Sequence, residues 1–419
     1  MISNTRYQKP PKNESDGKIT KNDIVCKLYT RFYLNNIFQH IEKLLYMKNI
    51  SIIGVGRLGL CTALIFEKAG YNVLGVDVFP DYVNAINSKT LKSSEPSVET
   101  YLSESTNFRA TLSLDDALSH SDIMFILVAT PTGNGEKSYD HSYLSKVLND
   151  INKRKIKNKH IIIGCTVLPG YIANVARNII SDCENVTVNY NPEFIAQGSI
   201  IKNFENPDMV LIGEETTEAG DILENIYKSI LSKNTEKTDT NICRMTAESA
   251  EITKLSVNCF ITTKIAYANT IKDISDRTPN SNVFDILRAV GLDSRVGSKC
   301  LKPGFGFGGP CFPRDNRALG NYAESIGVKP IIPRATDDSN QYHSRVMVEN
   351  LLKENKNEYV FEDVAYKENC PVTIIEESQK IEVAKRIAKE GKKVIIRDRR
   401  EIIEAVKLEY GSLFEYQTF

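Results

Sequence analysis

The chain carries no net charge: Lys plus Arg and Asp plus Glu each number 53 across 419 residues, so no overall field draws it to nucleic acid or to an anionic membrane. Paired cysteines are missing too. Nine stand singly at Cys26, Cys61, Cys165, Cys183, Cys243, Cys259, Cys300, Cys311 and Cys370, with no C-x-x-C pair and no histidine at ligand spacing, which speaks against a metal site. An odd number of cysteines without a secretion signal fits a reduced, cytoplasmic chain. Nor is there a long hydrophobic run. The most apolar stretch, Ile50 to Phe66, contains Arg57 and three glycines and reads as strand, turn and helix, not as a membrane span. What is left is a soluble composition too long for one core, so two or three domains are expected.

Residues 1–46 read as an appendage. Met1 to Asp23 is polar and has a disordered composition, Ile24 to Tyr46 has apolar residues at helical spacing, and Met47 precedes the first clear strand as a natural start. From there NISIIGVGRLGLCTALIFEKAGYNVLGVD runs strand, Gly54-Val55-Gly56-Arg57-Leu58-Gly59, apolar helix, Gly70 stop and a second strand ending in Asp77. A lone GxGxxG is weak, but a strand before it, a helix after it and an acid about 20 residues on specify a dinucleotide site. The glycines make the turn and admit a pyrophosphate to a helix N-terminus. Asp77 would accept from ribose hydroxyls and repel a 2′-phosphate, favouring NAD over NADP.

Four further segments, Ser121–Thr132, Lys159–Gly170, Asn185–Phe194 and Asp208–Gly213, continue the rhythm of a parallel sheet, whose ligands bind beyond the carboxyl ends of the strands. Three polar motifs fall at such ends: Thr130-Pro131-Thr132, Cys165-Thr166-Val167 and Asn191-Pro192-Glu193. GNGEKS at Gly133–Ser138 resembles a phosphate loop but lacks the required Gly-Lys-Ser ending.

PGFGFGGPCFPRD, Pro303 to Asp315, crowds glycines and prolines around Cys311, a binding-loop composition ahead of a helix that Gly327 stops. A thiol at that helix start should feel the positive dipole end and have its pKa lowered, although a structural cysteine remains the alternative. Arg244 to Asp276 runs about nine turns without Gly or Pro, with Ile252, Leu255, Phe260, Ile261, Ile265 and Ile271 as its apolar surface. Lys254 and Asn258, four apart, share a face, and spacing alone favours a solvated pair.

GVGRLG, ATPT, CTVLPG, NPEFIAQG, EITKLSVNCF and PGFGFGGPCFPRD, in that order, resemble the UDP-glucose and GDP-mannose dehydrogenase family from about Met47 to Asn340. The resemblance implies NAD-dependent oxidation of a nucleotide-sugar alcohol to a carboxylate, with Cys311 as the nucleophile that forms a thiohemiacetal and then a thioester. It implies Lys254 and Asn258 as oxyanion stabilisers, with Lys254 also moving a proton, and Asp315 as an orienter of Lys254 or water. Glu193 would be the acid/base for thioester hydrolysis and Thr166 would place water or nicotinamide. Gly54, Gly56, Arg57, Leu58, Gly59, Asp77, Thr132, Thr166, Gln197 and Arg314 match cofactor positions. Glu193, Phe194, Lys254, Asn258, Lys302, Gly304, Gly308 and Lys367 match substrate positions. Arg295 matches an arginine that reaches across a homodimer interface, the dimer forming around the long helix.

The implied fold is an N-terminal Rossmann NAD-binding domain (47–240), a long central helix with a helical dimerisation domain and the cysteine loop (241–335), and a shortened C-terminal α/β nucleotide-sugar-binding domain (336–419). In that last part Tyr366-Lys367 matches an aromatic-lysine pair, but Glu376 stands where an arginine is expected, and Gln197 replaces an acid common in NPEF motifs. GFGFGGPCF is closer to the UDP-glucose branch, so the expected substrate is UDP-glucose. The alternatives are another nucleotide sugar, GDP-mannose or a UDP-hexosamine, and a nucleotide-binding chain without turnover.

Overall fold

The computed structural model describes residues 48–133, 139–233 and 240–419. The expectations for residues 1–46, and for most of Gly133–Ser138, lie outside the described residues.

β1 (Asn49–Ile53), β2 (Asn72–Val76), β3 (Phe108–Thr111), β4 (Ile123–Ile126), β5 (Lys157–Ile163), β6 (Glu184–Tyr190), β7 (Met209–Gly213) and β8 (Asn241–Met245) form one sheet in the order β3-β2-β1-β4-β5-β6-β7-β8. The central strands are apolar throughout because both faces are covered. All four residues of β4 are buried, and its side chains alternate between two cores. Phe125 packs with Ile50, Ile52 and helix α1 (Arg57–Lys68), whereas Met124 and Ile126 pack with Leu74, Leu144 and Leu148 on the opposite face.

The uniformly parallel reading fails at β7. This strand meets β6 antiparallel, at Tyr190 opposite Gly213, and β8 then pairs with it in parallel. Between β6 and β7 the only helix is Ile200–Glu205. Six residues of helix span about 9 Å, too little to carry the chain back along the sheet for a parallel return.

Helix α8 (Thr217–Leu231) leads to β8, and the long helix α9 (Ala247–Ser275) begins under a Thr246 cap whose hydroxyl accepts from Ser249 N–H. Arg244 and Met245 belong to β8, so the helix starts later than its composition implied. Helices α10 (Val283–Leu292), α11 (Phe312–Ser325) and α12 (Ile331–Lys353) follow, with α11 and α12 packing on α9. Leu255 is fully buried, but Ile252 and Phe260 are 43% and 67% exposed and do not pack within the chain as its apolar surface. A smaller C-terminal α/β domain has β9 (Glu358–Glu362), β10 (Lys393–Asp398) and β11 (Glu415–Thr418) in the parallel order β11-β10-β9. Its own core, around Ile387, Ile396 and Val406, also takes Val348 of α12. No helix among the described residues is long and apolar enough to cross a membrane.

Candidate functional site

The β1–α1 turn has the geometry of a pyrophosphate cradle. Gly54 has φ +92°, and a Cβ there would lie 2.6 Å from Leu127 O; one on Gly59 would lie 1.9 Å from Gly54 O. Those two glycines are required by packing of turn against strand and helix. Gly56 differs, because its Cβ position has no atom within 4 Å. It caps α1 with no side-chain hydrogen bond and no acid in the first turn, leaving room and positive potential for phosphate oxygens. Leu58 contributes backbone here while its side chain packs on the core. Asp77 follows β2, its Oδ1 accepting from Val78 N–H (2.8 Å) and Phe79 N–H (3.3 Å), which fixes the carboxylate at the ribose end of such a ligand. These residues fit a dinucleotide.

The parallel neighbours β4, β5 and β6 bring their three polar ends to one edge of the sheet. Thr130 is buried and its carbonyl accepts from Arg314 Nη1 (3.1 Å), while Thr132 is exposed in a bridge to Tyr139. Thr166 is half-buried after β5. Cys165 beside it is buried against Ile126 O, and burial pushes its thiol up to about 12, as for a structural cysteine. Gln197 accepts from Arg57 through its side chain and from Tyr366 Oη (3.2 Å) through its carbonyl. The glycine turn, the Asn191–Gly198 loop and the C-terminal domain are thereby tied together.

Cys311 caps α11, with Pro313 in the first turn, as its sequence implied. The expected lowering of its pKa is not what the surroundings give. The residue opens to solvent, yet desolvation is the largest influence and raises the thiol pKa; Asp315 adds to the rise, against Arg314 and Lys254. Protein packed around the sulfur and an acid in the first helical turn outweigh the helix dipole.

Lys254 is 7% exposed, so the solvated reading of the Lys254–Asn258 pair is overturned. Its ammonium donates to Glu193 O (2.8 Å) and lies 4.6 Å from the Phe194 ring centroid. Desolvation lowers its pKa, opposed by Asp315, Cys311 and Glu193. Asn258 turns its Nδ2 to Asp315 Oδ2 (2.6 Å), and Tyr139 Oη donates to Asp315 Oδ1 (2.5 Å). Asp315 is fully buried and also lies 3.4 Å from Arg314 Nε. It therefore orients Asn258 and Tyr139 by hydrogen bond and acts on Lys254 through charge. Burial holds Glu193 up at about 7, with Tyr227 and Lys254 opposing.

The glycine loop is held from two helices. Asn269 and His343 fix Gly304, through Asn269 Oδ1 to Gly304 N (2.9 Å) and His343 Nε2 to Gly304 O (2.8 Å). Asn340 bonds both N–H and C=O of Phe307, at 2.9 and 3.0 Å. Gly308 lies under the C-terminal domain, where a Cβ would be 2.3 Å from Glu377 O. Lys367 stands over the Tyr366 ring at 5.6 Å, and Lys302 is exposed. Glu376 raises the Cys311 thiol by its charge, which places an acid at this margin where an arginine was expected. Arg295 is not brought to the cluster; its side chain is 87% exposed and pairs with Asp293.

Sequence reasoning missed Tyr139, Tyr227, Asn269, Asn340 and His343, and placed Asn191 in a strand-end motif without giving it a role. Tyr139 lay beside a motif read only for phosphate, and Tyr227 sits on the buried face of α8 among Leu223, Ile226 and Ile230, where it reads as core. The paired asparagine and histidine of α12 at helical spacing were the one available signal.

Two family models match: the NAD binding domain of the UDP-glucose/GDP-mannose dehydrogenase family over residues 48–231, and its central domain over residues 248–342. A UDP-glucose 6-dehydrogenase of Rickettsia conorii is 32% identical over 309 residues, covering 72% of this chain and 69% of that protein. A GDP-mannose 6-dehydrogenase of Pseudomonas putida is 30% identical over 375 residues, covering 83% of this chain and 80% of that one. The solved structure of a UDP-glucose dehydrogenase from Pyrobaculum islandicum superposes with a TM-score of 0.79 at 26% identity, covering 88% of this chain and 85% of that one.

Proposed function

Because the chain belongs to the UDP-glucose/GDP-mannose dehydrogenase family and so is an NAD-dependent dehydrogenase of a nucleotide sugar, we propose that it oxidises UDP-glucose to UDP-glucuronate through a covalent Cys311 intermediate. One observation carries this reading: the buried Lys254 has Asp315, Cys311, Glu193 and Arg314 as its ionisable neighbours. Gly54, Gly56, Gly59 and Asp77 would hold NAD, which would supply the hydride acceptor, one molecule for each of two oxidations. In its neutral form, which desolvation favours, Lys254 takes the proton of the C6 hydroxyl as the aldehyde forms. The Cys311 sulfur bonds to the aldehyde carbon, and its proton passes to the carbonyl oxygen, where Lys254 and Asn258 stabilise the developing charge. The carbon of that thiohemiacetal would give its hydride to a second NAD while Lys254, having released its first proton to solvent, takes the hydroxyl proton, and a thioester remains. Glu193 removes a proton from water as water attacks, the C–S bond breaks, and the thiol is restored as the carboxylate leaves.

The raised thiol pKa is consistent with this order. A neutral thiol at rest is protected, and its proton is needed at the oxygen when the adduct forms. UDP-glucose is preferred on the loop GFGFGGPCF; GDP-mannose is the second reading, favoured by the Pseudomonas putida relative that covers more of the chain. A homodimer accompanies the proposal. Ile252, Phe260, Tyr267 and Ile274 on α9 are 43 to 67% exposed at successive spacings of eight, seven and seven residues, an apolar stripe that a second copy would cover.

The test is stoichiometry across a panel of nucleotide sugars. We expect two NADH per UDP-glucose, and Cys311→Ser should end sustained turnover. One NADH with free aldehyde accumulating would overturn the covalent scheme, and faster turnover of GDP-mannose would move the substrate.

A further inference from the structure

The Tyr227 hydroxyl, buried on α8, has two acceptors and one proton. It lies 2.6 Å from Asn191 Oδ1 and 2.7 Å from Glu193 Oε1. The Asn191 amide is not free to turn over and become a donor, because its Nδ2 is engaged by Leu211 O at 2.9 Å. The phenol can therefore donate to only one of them at a time. When Glu193 is ionised, Tyr227 donates to it. When Glu193 is protonated, the carboxylic acid donates to Tyr227 Oη, and the phenol hydrogen turns to Asn191.

We propose that Tyr227 is a positioning residue for this reaction: its hydroxyl, by rotating between Glu193 and Asn191, keeps Glu193 Oε1 hydrogen-bonded in both protonation states of the acid. This rests on the reading of Glu193 as the acid/base of thioester hydrolysis. An acid/base group withdrawn from water must be stable both with and without its proton, since an unmade hydrogen bond in such a place is costly. A donor fixed on the carboxylate would favour the anion alone, and a fixed acceptor the acid alone. A hydroxyl with a second acceptor serves both. The other charged group facing Glu193 is Lys254 on α9, which favours the anion; burial, which favours the acid, is the larger influence.

Two substitutions have opposite expected effects. Tyr227→Phe keeps the ring and its packing but removes the partner from both states; the anion loses more, because a bond to a charged acceptor is about twice as strong as a neutral one. The acid limb of the kcat against pH profile should move up by about one pH unit. Sustained turnover at pH 7 should fall about fivefold, as the ionised fraction of Glu193 drops. The first hydride transfer should be unchanged, and Cys311 thioester should accumulate on rapid acid quench. Asn191→Ala leaves the phenol only Glu193 to donate to, so the limb should move down.

If both limbs move in the same direction, or neither moves while Glu193→Gln stalls thioester hydrolysis, the role of Tyr227 is overturned. If Glu193→Gln hydrolyses the thioester at the wild-type rate, the underlying reading of Glu193 fails instead. Should Tyr227→Phe not fold, the downward shift in Asn191→Ala decides, and its absence overturns the proposal.

Discussion

Asp315, fully buried, and Glu193, half-buried, are both carboxylate neighbours of Lys254, each with a tyrosine hydroxyl against it, and they differ in what the neighbouring asparagine offers. Beside Asp315, Asn258 presents its Nδ2, so the carboxylate receives two donors and Tyr139 has that single acceptor. Beside Glu193, Asn191 presents its Oδ1, so the hydroxyl is shared and the carboxylate is left with less support. Burial is then free to lift Glu193 to about 7. The direction of one amide separates a carboxylate held by two donors from a group that shares its hydroxyl donor and exchanges protons near neutrality. Asparagine is thus doing opposite things at two positions that look alike in sequence.

Asp315→Asn should give the largest effect because it removes the carboxylate that two donors share. The new amide must turn its N–H groups toward Asn258 Nδ2, where two donors meet, or toward Tyr139 Oη, which can accept only by leaving the phenol hydrogen without its acceptor, and Lys254 loses the largest influence that supports its ammonium. We expect kcat to fall about a thousandfold, in the range for a lost proton-transfer arrangement. Unfolding should show a stability loss of about 1 to 3 kcal/mol from the unsatisfied buried group. An active, stable Asp315→Asn would show that the charge is dispensable.

Glu193→Gln attacks the exchanging side. The wild-type acid limb should rise through about pH 7, since Glu193 must lose its proton to act as a base and burial has raised its pKa to that value. In the variant that limb should vanish, steady-state turnover should drop about a hundredfold, and the first NADH should appear as a burst ahead of a thioester that persists. The linked stability effect has a definite sign. An acid whose folded pKa is raised costs the fold nothing below its unfolded value; the cost grows as pH rises from there to about 7 and levels off above it. Glu193→Gln should therefore gain stability over the wild type at pH 8 compared with pH 5, which thermal melts at the two pH values would read.

Residues that act through local spacing were legible in the sequence. Gly54 to Gly59 announce their turn because strand, glycines and helix are consecutive, and Cys311 announces its helix cap because Pro313 and the glycines adjoin it. Residues that act through long-range packing were not. Tyr227 obeys the apolar periodicity of α8 perfectly, so nothing local separates its hydroxyl from the core residues around it. The Cys311 thiol was misjudged because a helix dipole can be read from a helix start, whereas desolvation depends on what the distant chain packs around the sulfur. For the same reason the reversed β7 escaped an argument from rhythm, and the apolar surface of the long helix could be read without telling that Leu255 is buried while Ile252 and Phe260 face outward. Asn258 and Asn191 could be counted, but not which end of each amide would face its carboxylate.

Tyr139→Phe sharpens the contrast with the smallest expected effect. Its hydroxyl has Asp315 as a single acceptor at 2.5 Å, so removal takes away a donor without disturbing an exchange. Asn258 still donates to the other oxygen, and Arg314 keeps its charge 3.4 Å from the same carboxylate. A charge-assisted hydrogen bond lost with this much remaining support should lower kcat about five- to tenfold. The acid limb should stay where it is, because Glu193 and its tyrosine are untouched. A limb that moved in Tyr139→Phe as it does in Tyr227→Phe would mean that the two carboxylates act as one coupled pair, and the division of labour between the two tyrosine–carboxylate pairs would be lost.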